Sequence, residues 1–205
     1  MKSIVGTRAE IGERSYEKML ALRHKIFRER LKWDIPSTNE NTELEEDEFD
    51  TESTVYVLIG NPFVASCRLI PSNHKTMISV LWPDVLVSFD PHQGVWELSR
   101  FAVDKDARMP TLLAAKILLE AYKFAIKNNI SHYVVISTRS AAKVIRNMGI
   151  NTIRLPSEDQ SIVASSTKID MRIGSLLQGI VDLYSNRKNC VMIRESDQSG
   201  SFVPL

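Results

Sequence analysis

The sequence predicts an α/β protein, a three-layer α-β-α sandwich around a central twisted mixed sheet. Amphipathic helical patterns and β-rich runs interleave along the chain in the order helix, strands, helix, strand, helix, strands. The run VWELSRFAV at 95–103 is apolar on both faces, as a strand covered from both sides must be. Of 205 residues, 43% are hydrophobic, which supplies one sizeable core. The chain therefore reads as a single domain, 1–205, with a loose tail after about residue 195.

The first helix is expected at 13–31, where Tyr16, Met19, Leu20, Phe27 and Leu31 recur at helical spacing and Arg23 falls on the same stripe. Residues 32–51 read as irregular: a turn signal at 36–39 is followed by the charge run Glu43, Glu45, Glu46, Asp47, Glu48 and Asp50. Strands at 54–59 and 63–70 flank Gly60, Asn61 and Pro62, a hairpin spacing, and Arg68 shares a strand face with Val64 and Ile70. A less regular stretch with Trp82, Pro83 and Pro91 leads into the central strand at 95–103.

Pro110 opens a long helix to about 128, with Leu112, Ala115, Leu119, Tyr122 and Ile126 inward and Lys116, Glu120, Lys123 and Lys127 outward. A strand at 132–138 and a helix at 140–148 stopped by Gly149 follow. Strands at 150–155 and 161–173 and a short helix at 174–184 complete the reading.

Composition narrows the function classes. Lys and Arg number 26 against 25 Asp and Glu, so no bulk field favours nucleic acid or an anionic membrane. Cys67 and Cys190 form neither a disulfide framework nor a clustered metal set, which fits a reducing cytoplasm and no metal. Near the N-terminus, Lys2, Arg8, Glu10, Glu13 and Arg14 leave no apolar signal core, and no stretch approaches the roughly 18 apolar residues of a membrane span. A cytoplasmic location without a membrane anchor is expected.

The charges that matter sit inside apolar patterns. Arg23 on the first helix, Arg68 on a strand, and Glu97 with Arg100 on the central strand each interrupt a face that otherwise calls for hydrophobes. Desolvating an unpaired ion costs several kcal/mol, so partners are required, and Asp47 and Asp50 are available. One reading is a set of structural ion pairs that pins the N-terminal segment to the sheet. The other is a balanced pocket of Arg and acid side chains, with Phe27 and Trp33, for a zwitterionic, cationic ligand carrying an aromatic base. S-adenosylmethionine is such a ligand.

In order and spacing, these residues resemble the acyl-homoserine-lactone synthases, the LuxI-type autoinducer synthases of bacterial quorum sensing. Arg23, Phe27 and Trp33 match the family's residues in LRHKIFRERLKWD; Glu45, Asp47 and Asp50 match those in ELEEDEFD; Arg68 matches ASCRLIP; and Glu97 and Arg100 match WELSRF. The matching segments lie between about residues 22 and 103, and their joint specificity is high. The resemblance implies a fold similar to that of the GCN5-related N-acetyltransferases, with a V-shaped gap between central strands that admits a phosphopantetheine arm. It also implies no cofactor, with S-adenosylmethionine and a phosphopantetheine-linked acyl thioester as substrates. Two positions depart from the pattern: Trp82 stands where the family has Phe, and Val135 where relatives that favour 3-oxo chains have Thr, which favours an unsubstituted chain.

The implied reaction has two steps: an amine attacks a thioester, and a carboxylate then displaces methylthioadenosine to close a lactone. Glu97, flanked by Val95 and Phe101 on one strand face, is the candidate base, with Arg100 as its catalytic companion. Arg23, Phe27, Trp33, Glu45, Asp47, Asp50, Arg68, Trp82, Ser99 and Phe101 are the candidate substrate-binding set, and Val135 the acyl-chain residue. The expected partner is acyl carrier protein, docked on Arg139, Lys143, Arg146 and Arg154; a solvated basic face is the alternative. Two rivals remain: an N-acetyltransferase using acyl-CoA, although DKDARMPT at 104–111 lacks the glycine-rich turn that cradles pyrophosphate, and a noncatalytic sensor of an acylated ligand.

Overall fold

The computed structural model describes residues 1–35, 43–83, 94–155 and 162–197. In chain order the elements are β1 (Ser3–Thr7), α1 (Arg8–Ile11), α2 (Glu13–Arg23), a π-helical extension (His24–Arg30), β2 (Val55–Gly60), β3 (Phe63–Pro71), α3 (Met77–Leu81) and β4 (Val95–Val103). They continue with α4 (Pro110–Lys127), β5 (His132–Thr138), α5 (Arg139–Asn147), β6 (Ile153–Arg154), β7 (Ile162–Lys168) and α6 (Met171–Asp197). The turn signal at 36–39, Pro91, and residues 198–205 of the expected tail lie outside the described residues.

One mixed seven-stranded sheet runs β1-β2-β3-β4-β5-β7-β6. Among the described strands only β4 and β5 pair in parallel, and α4 is the crossover a parallel connection requires. On one face, α4 and α6 with Ile145 of α5 cover Val57, Cys67, Leu69, Leu98 and Val135 in the largest core cluster. On the other face, α2 places Tyr16, Met19 and Leu20 against Tyr56 and Leu58, and its π-helical extension places Ile26 and Phe27 against Ala102. This is the expected three-layer sandwich, with β4 buried on both sides. No helix among the described residues is long and apolar enough to cross a membrane.

Several element boundaries differ from the sequence reading for physical reasons. The helix expected at 13–31 is α-helical only to Arg23; the wider π turn then rotates Leu31 off the buried stripe, leaving it exposed. Strand β1, not expected, is short and exists because it pairs antiparallel with β2. Helix α3 forms within the stretch expected to be irregular, where the Thr76 hydroxyl accepts the Ser79 N–H at 3.0 Å. Within α4, Ile126 faces solvent rather than the core.

The strand expected at 150–155 is reduced to Ile153–Arg154, and the one expected at 161–173 ends at Lys168. There the Asp170 carboxylate accepts the Ile173 N–H at 3.1 Å, starting α6 three residues before the expected 174 and making it 27 residues long. The stop expected at Gly149 is present: its φ is 79°, and its N–H reaches the Arg146 carbonyl at 2.8 Å.

Candidate active site

An irregularity in β4 builds the site. Arg68 of β3 pairs with Ser99 and Ser66 pairs with Ala102, so Cys67 alone faces two residues, Arg100 and Phe101. Arg100 takes up the extra length with φ of 49°. The bulge interrupts the strict alternation of side chains, and Glu97, Ser99 and Arg100 consequently share the face that carries α2. Phe101 is turned to the opposite face, where it packs against the main core. The expectation that Phe101 flanks Glu97 on one strand face is thus overturned by a parity change.

On the α2 face, three guanidiniums meet three carboxylates, all six buried. Arg23 pairs with Glu45 through Nε and holds Asp50 in a two-pronged grip, Nη1 to Oδ1 and Nη2 to Oδ2, each at 2.9 Å. Arg68 Nη1 reaches Asp47 at 2.5 Å and Asp50 at 3.1 Å, and its Nε donates to Ser99 Oγ at 3.2 Å. Arg100 Nη2 reaches Asp47 at 2.6 Å and Glu45 at 3.1 Å. Residues 45–50 act as an acidic strap between arginines from α2, β3 and β4.

The charges suit this geometry. Burial pushes the Asp50 carboxyl up, but Arg23 and then Arg68 outweigh it and hold Asp50 below the usual carboxylate range. Burial likewise opposes ionisation of Glu45, and Arg23 and Arg100 overcome it. For Arg100, burial and crowding by Arg68 and Arg23 outweigh Glu45 and Asp47, and the net direction is downward. A guanidinium still keeps its proton, so Arg100 stands to gain from an added anion.

Four buried side-chain polar atoms lack a partner among the described residues, Ser66 Oγ, Arg68 Nη2, Glu97 Oε1 and Ser137 Oγ, and two of them belong to charged groups, Arg68 and Glu97. Glu97 is 1% exposed; its other oxygen, Oε2, accepts the Ile78 N–H at the start of α3 at 2.9 Å. A donor from a guanidinium and an acceptor from a carboxylate are thus left open on one sheet face. A purely structural ion-pair network has no need of either. Phe27 and Trp33 stack nearby, centroids 5.2 Å apart at 16°, with the Arg100 guanidinium 5.7 Å from the Phe27 ring centre. Trp82, at the end of α3, joins Ile78, Val95 and Val134 to form a wall on the same face.

The parallel pairing of β4 with β5 stops at Leu98 and Val135. Beyond it β4 continues along β3 to Val103, while β5 continues along β7 to Thr138, so a V-shaped gap opens between them. Behind its apex, on the α4 face, lies a narrow apolar cavity of about 40 Å³, lined among others by Leu98, Leu118, Tyr122, Val135, Ile145 and Leu177. Glu97 and Leu98 are consecutive residues facing opposite sides of the sheet. The charged cluster and the apolar cavity therefore lie on opposite faces of the sheet beside the apex of the gap.

A family model described as autoinducer synthase matches residues 8–171. The chain belongs to the autoinducer synthase family. An acyl-homoserine-lactone synthase of Vibrio anguillarum is 28% identical over 172 residues, covering 80% of this chain and 88% of that protein. One from Aeromonas hydrophila is 30% identical over 148 residues, covering 67% and 70%. The structure of BjaI, a CoA-dependent acyl-homoserine lactone synthase, with SAM and isopentyl-CoA, aligns over 88% of each chain with a TM-score of 0.73 at 22% identity.

The protein is thus an acyltransferase of the acyl-homoserine-lactone synthase type, with a fold like that of the GCN5-related N-acetyltransferases. Both the general N-acetyltransferase reading and the noncatalytic sensor reading are set aside.

In this synthase the candidate residues Arg23, Glu45, Asp47, Asp50, Arg68, Ser99 and Arg100 form one bonded cluster, Glu97 lies two residues from Ser99 on the same face of β4, Phe27 and Trp33 stack beside Arg100, and Trp82 packs with Ile78 and Val95. Val135 lies on the far side, among the residues that line the cavity and at the end of the β4–β5 pairing. Arg139, Lys143 and Arg146 are exposed on α5, which starts where β5 leaves the gap, and Arg154 is exposed on edge strand β6.

The sequence reading missed a supporting layer. The Tyr56 hydroxyl, on the strand residue paired with Arg68, donates to Asp50 at 3.1 Å, and the Tyr16 hydroxyl donates to Glu46 at 2.6 Å. Tyr56 alternates with the apolar positions of β2, a signal visible in the sequence. The role of the Ile78 backbone N–H had no such signal.

Proposed function

We propose that this synthase acylates the α-amine of S-adenosylmethionine with a chain delivered by acyl carrier protein. It then closes the lactone and releases methylthioadenosine, making a quorum-sensing signal in the cytoplasm. The observation that carries this reading is the juxtaposition at the gap's apex: a charge-balanced chamber with an unpartnered carboxylate oxygen on one face and an apolar cavity on the other.

A phosphopantetheine arm entering the gap would bring its thioester to the level of Ser99, with the acyl tail passing Leu98 and Val135 into the cavity. S-adenosylmethionine would occupy the charged face, its amine toward Glu97 Oε1 and its carboxylate toward Arg68 Nη2 and Arg100. Phe27, Trp33 and Trp82 offer ring faces to the adenine and the sulfonium.

Glu97 takes a proton from the ammonium, the neutral amine forms the amide bond, and the C–S bond of the thioester breaks. As the amide forms the nitrogen sheds a second proton, which the departing thiolate takes, and Glu97 passes the first to solvent. The carboxylate oxygen then attacks the carbon bearing the sulfonium, whose C–S bond breaks to give neutral methylthioadenosine. Substrate cation and carboxylate are both consumed, so the products are uncharged and leave a chamber built for ions.

Mass spectrometry of organic extracts from a host expressing the chain tests the class. A lactone-headed amide is expected, and its absence with every acyl donor would reject the proposal.

The donor itself is read from the surface. Arg139, Lys143 and Arg146 are exposed on α5 beside the exposed apolar Val144, and Arg154 is exposed on edge strand β6; a basic helix next to the gap suits an acidic helical carrier. Reversing Lys143 and Arg146 to Glu should raise the Michaelis constant for the carrier substrate at least about tenfold at low salt and leave that for a CoA thioester nearly unchanged. A CoA donor is the second reading, since BjaI is described as CoA-dependent. Unchanged carrier kinetics in the double variant would favour it.

A further inference from the structure

The residues that line the apolar cavity lie at different distances from the apex of the gap. From Val135 at the apex, β5 runs back two residues to Tyr133, about 7 Å deeper. The Tyr133 hydroxyl donates to the Ala121 carbonyl at 2.8 Å, which ties that ring to α4. Tyr122, the next residue of α4, also lines the cavity, and so does Ile173 at the start of α6. Beside Ile173 is Gly174.

A Cβ placed on Gly174 would lie 2.3 Å from Tyr122 Cε1, 2.6 Å from Cζ and 2.8 Å from the hydroxyl oxygen, far inside contact distance. The Tyr122 ring therefore rests on bare helix backbone. Gly174 is helical and is not among the glycines with positive φ, so backbone conformation gives no reason for glycine at this position. Glycine inside a helix is disfavoured relative to alanine, and close packing is the remaining physical reason for it here.

We infer that Tyr122, seated on Gly174, is the end wall of the acyl pocket and sets the longest chain the synthase accepts. This rests on the reading of the cavity as the acyl pocket. Gly174 is a positioning residue: it lets the ring sit back toward α6, and any side chain at 174 drives the ring into the cavity or pushes α6 away. Tyr133 is tethered to Ala121 and does not adjust in the same way. The two positions should consequently act with opposite sign, Tyr122→Leu lengthening the preferred chain and Gly174→Ala shortening it.

The test measures kcat/KM of the purified full chain for a series of saturated acyl thioesters of increasing length. Thermal unfolding checks that each variant is folded. Tyr122→Leu is expected to raise the ratio of long-chain to short-chain turnover at least about tenfold, as one or two methylenes in an apolar pocket allow, and Gly174→Ala to lower it. Val135→Phe, at the end of the β4–β5 pairing, separates the two levels of failure. If it depresses long-chain turnover while both other variants keep the original ratio, the acyl pocket stands and the end-wall assignment is wrong. If all three leave the length profile unchanged, the pocket reading fails and the end wall with it.

Discussion

Replacing Glu97 with Gln is expected to lower kcat by about 10²–10⁴-fold while leaving the fold intact. The amide oxygen of Gln still accepts the Ile78 N–H, the one hydrogen bond Glu97 makes among the described residues, so thermal unfolding should stay near that of the parent chain. The loss falls on proton removal: a Gln side chain cannot take a proton from the substrate ammonium. KM for S-adenosylmethionine should change much less than kcat, and raising the pH should recover part of the rate as free amine becomes available. A Glu97→Gln enzyme that turns over at the parent rate at neutral pH would remove Glu97 from the role of base. A variant that loses both rate and thermal stability would assign it to the fold.

The second large effect is on stability. Asp50→Asn removes the carboxylate shared by Arg23 and Arg68, leaving two buried guanidiniums with less countercharge than they need. Breaking a buried pair from one side costs about 3–5 kcal/mol, which for a chain of this size lowers Tm by about 10 °C. Tyr56→Phe, which removes only a neutral donor to the same carboxylate, should cost about 1 kcal/mol.

The pH dependence follows from the direction of the Asp50 shift. Its folded carboxyl ionises below the usual range, so the associated stability is complete above the unfolded value near 4 and is lost as pH falls through the folded value. The parent chain should therefore converge toward the variant in acid, with the gap in Tm closing below about pH 4. A Tm for Asp50→Asn equal to the parent's at pH 7 would show that the strap contributes little to folding.

The site was legible because ionic side chains at apolar positions need partners. Arg23, Arg68, Glu97 and Arg100 each break a hydrophobic pattern, and an acidic run lies between them in sequence. The fold class was legible for a similar reason, since the alternation of helical and strand periods sets which layers can form. Elements whose existence depends on a neighbour were not. Strand β1 has only Ile4 and Val5 to mark it and needs β2 beside it. Helix α6 begins at Met171, capped by Asp170, inside a stretch whose Ile169, Met171 and Ile173 read equally well as strand. The apolar cavity gave one residue, Val135, because its other lining residues come mostly from β4, three helices and β7, far apart in the chain.

By itself the sequence determined the layered α/β class, the residues of the charged chamber, and the family they resemble, because periodicity and misplaced charge are local properties of the chain. Only the tertiary structure decided which face each side chain serves. The bulge at Arg100 adds one residue to β4, keeps Ser99 and Arg100 with Glu97, and sends Phe101 to the opposite core. It is likewise the end of β4–β5 pairing at Leu98 and Val135 that places the charged cluster and the cavity beside one gap. Register and strand divergence are fixed by the packing of whole elements against one another, and no short window of sequence contains that information.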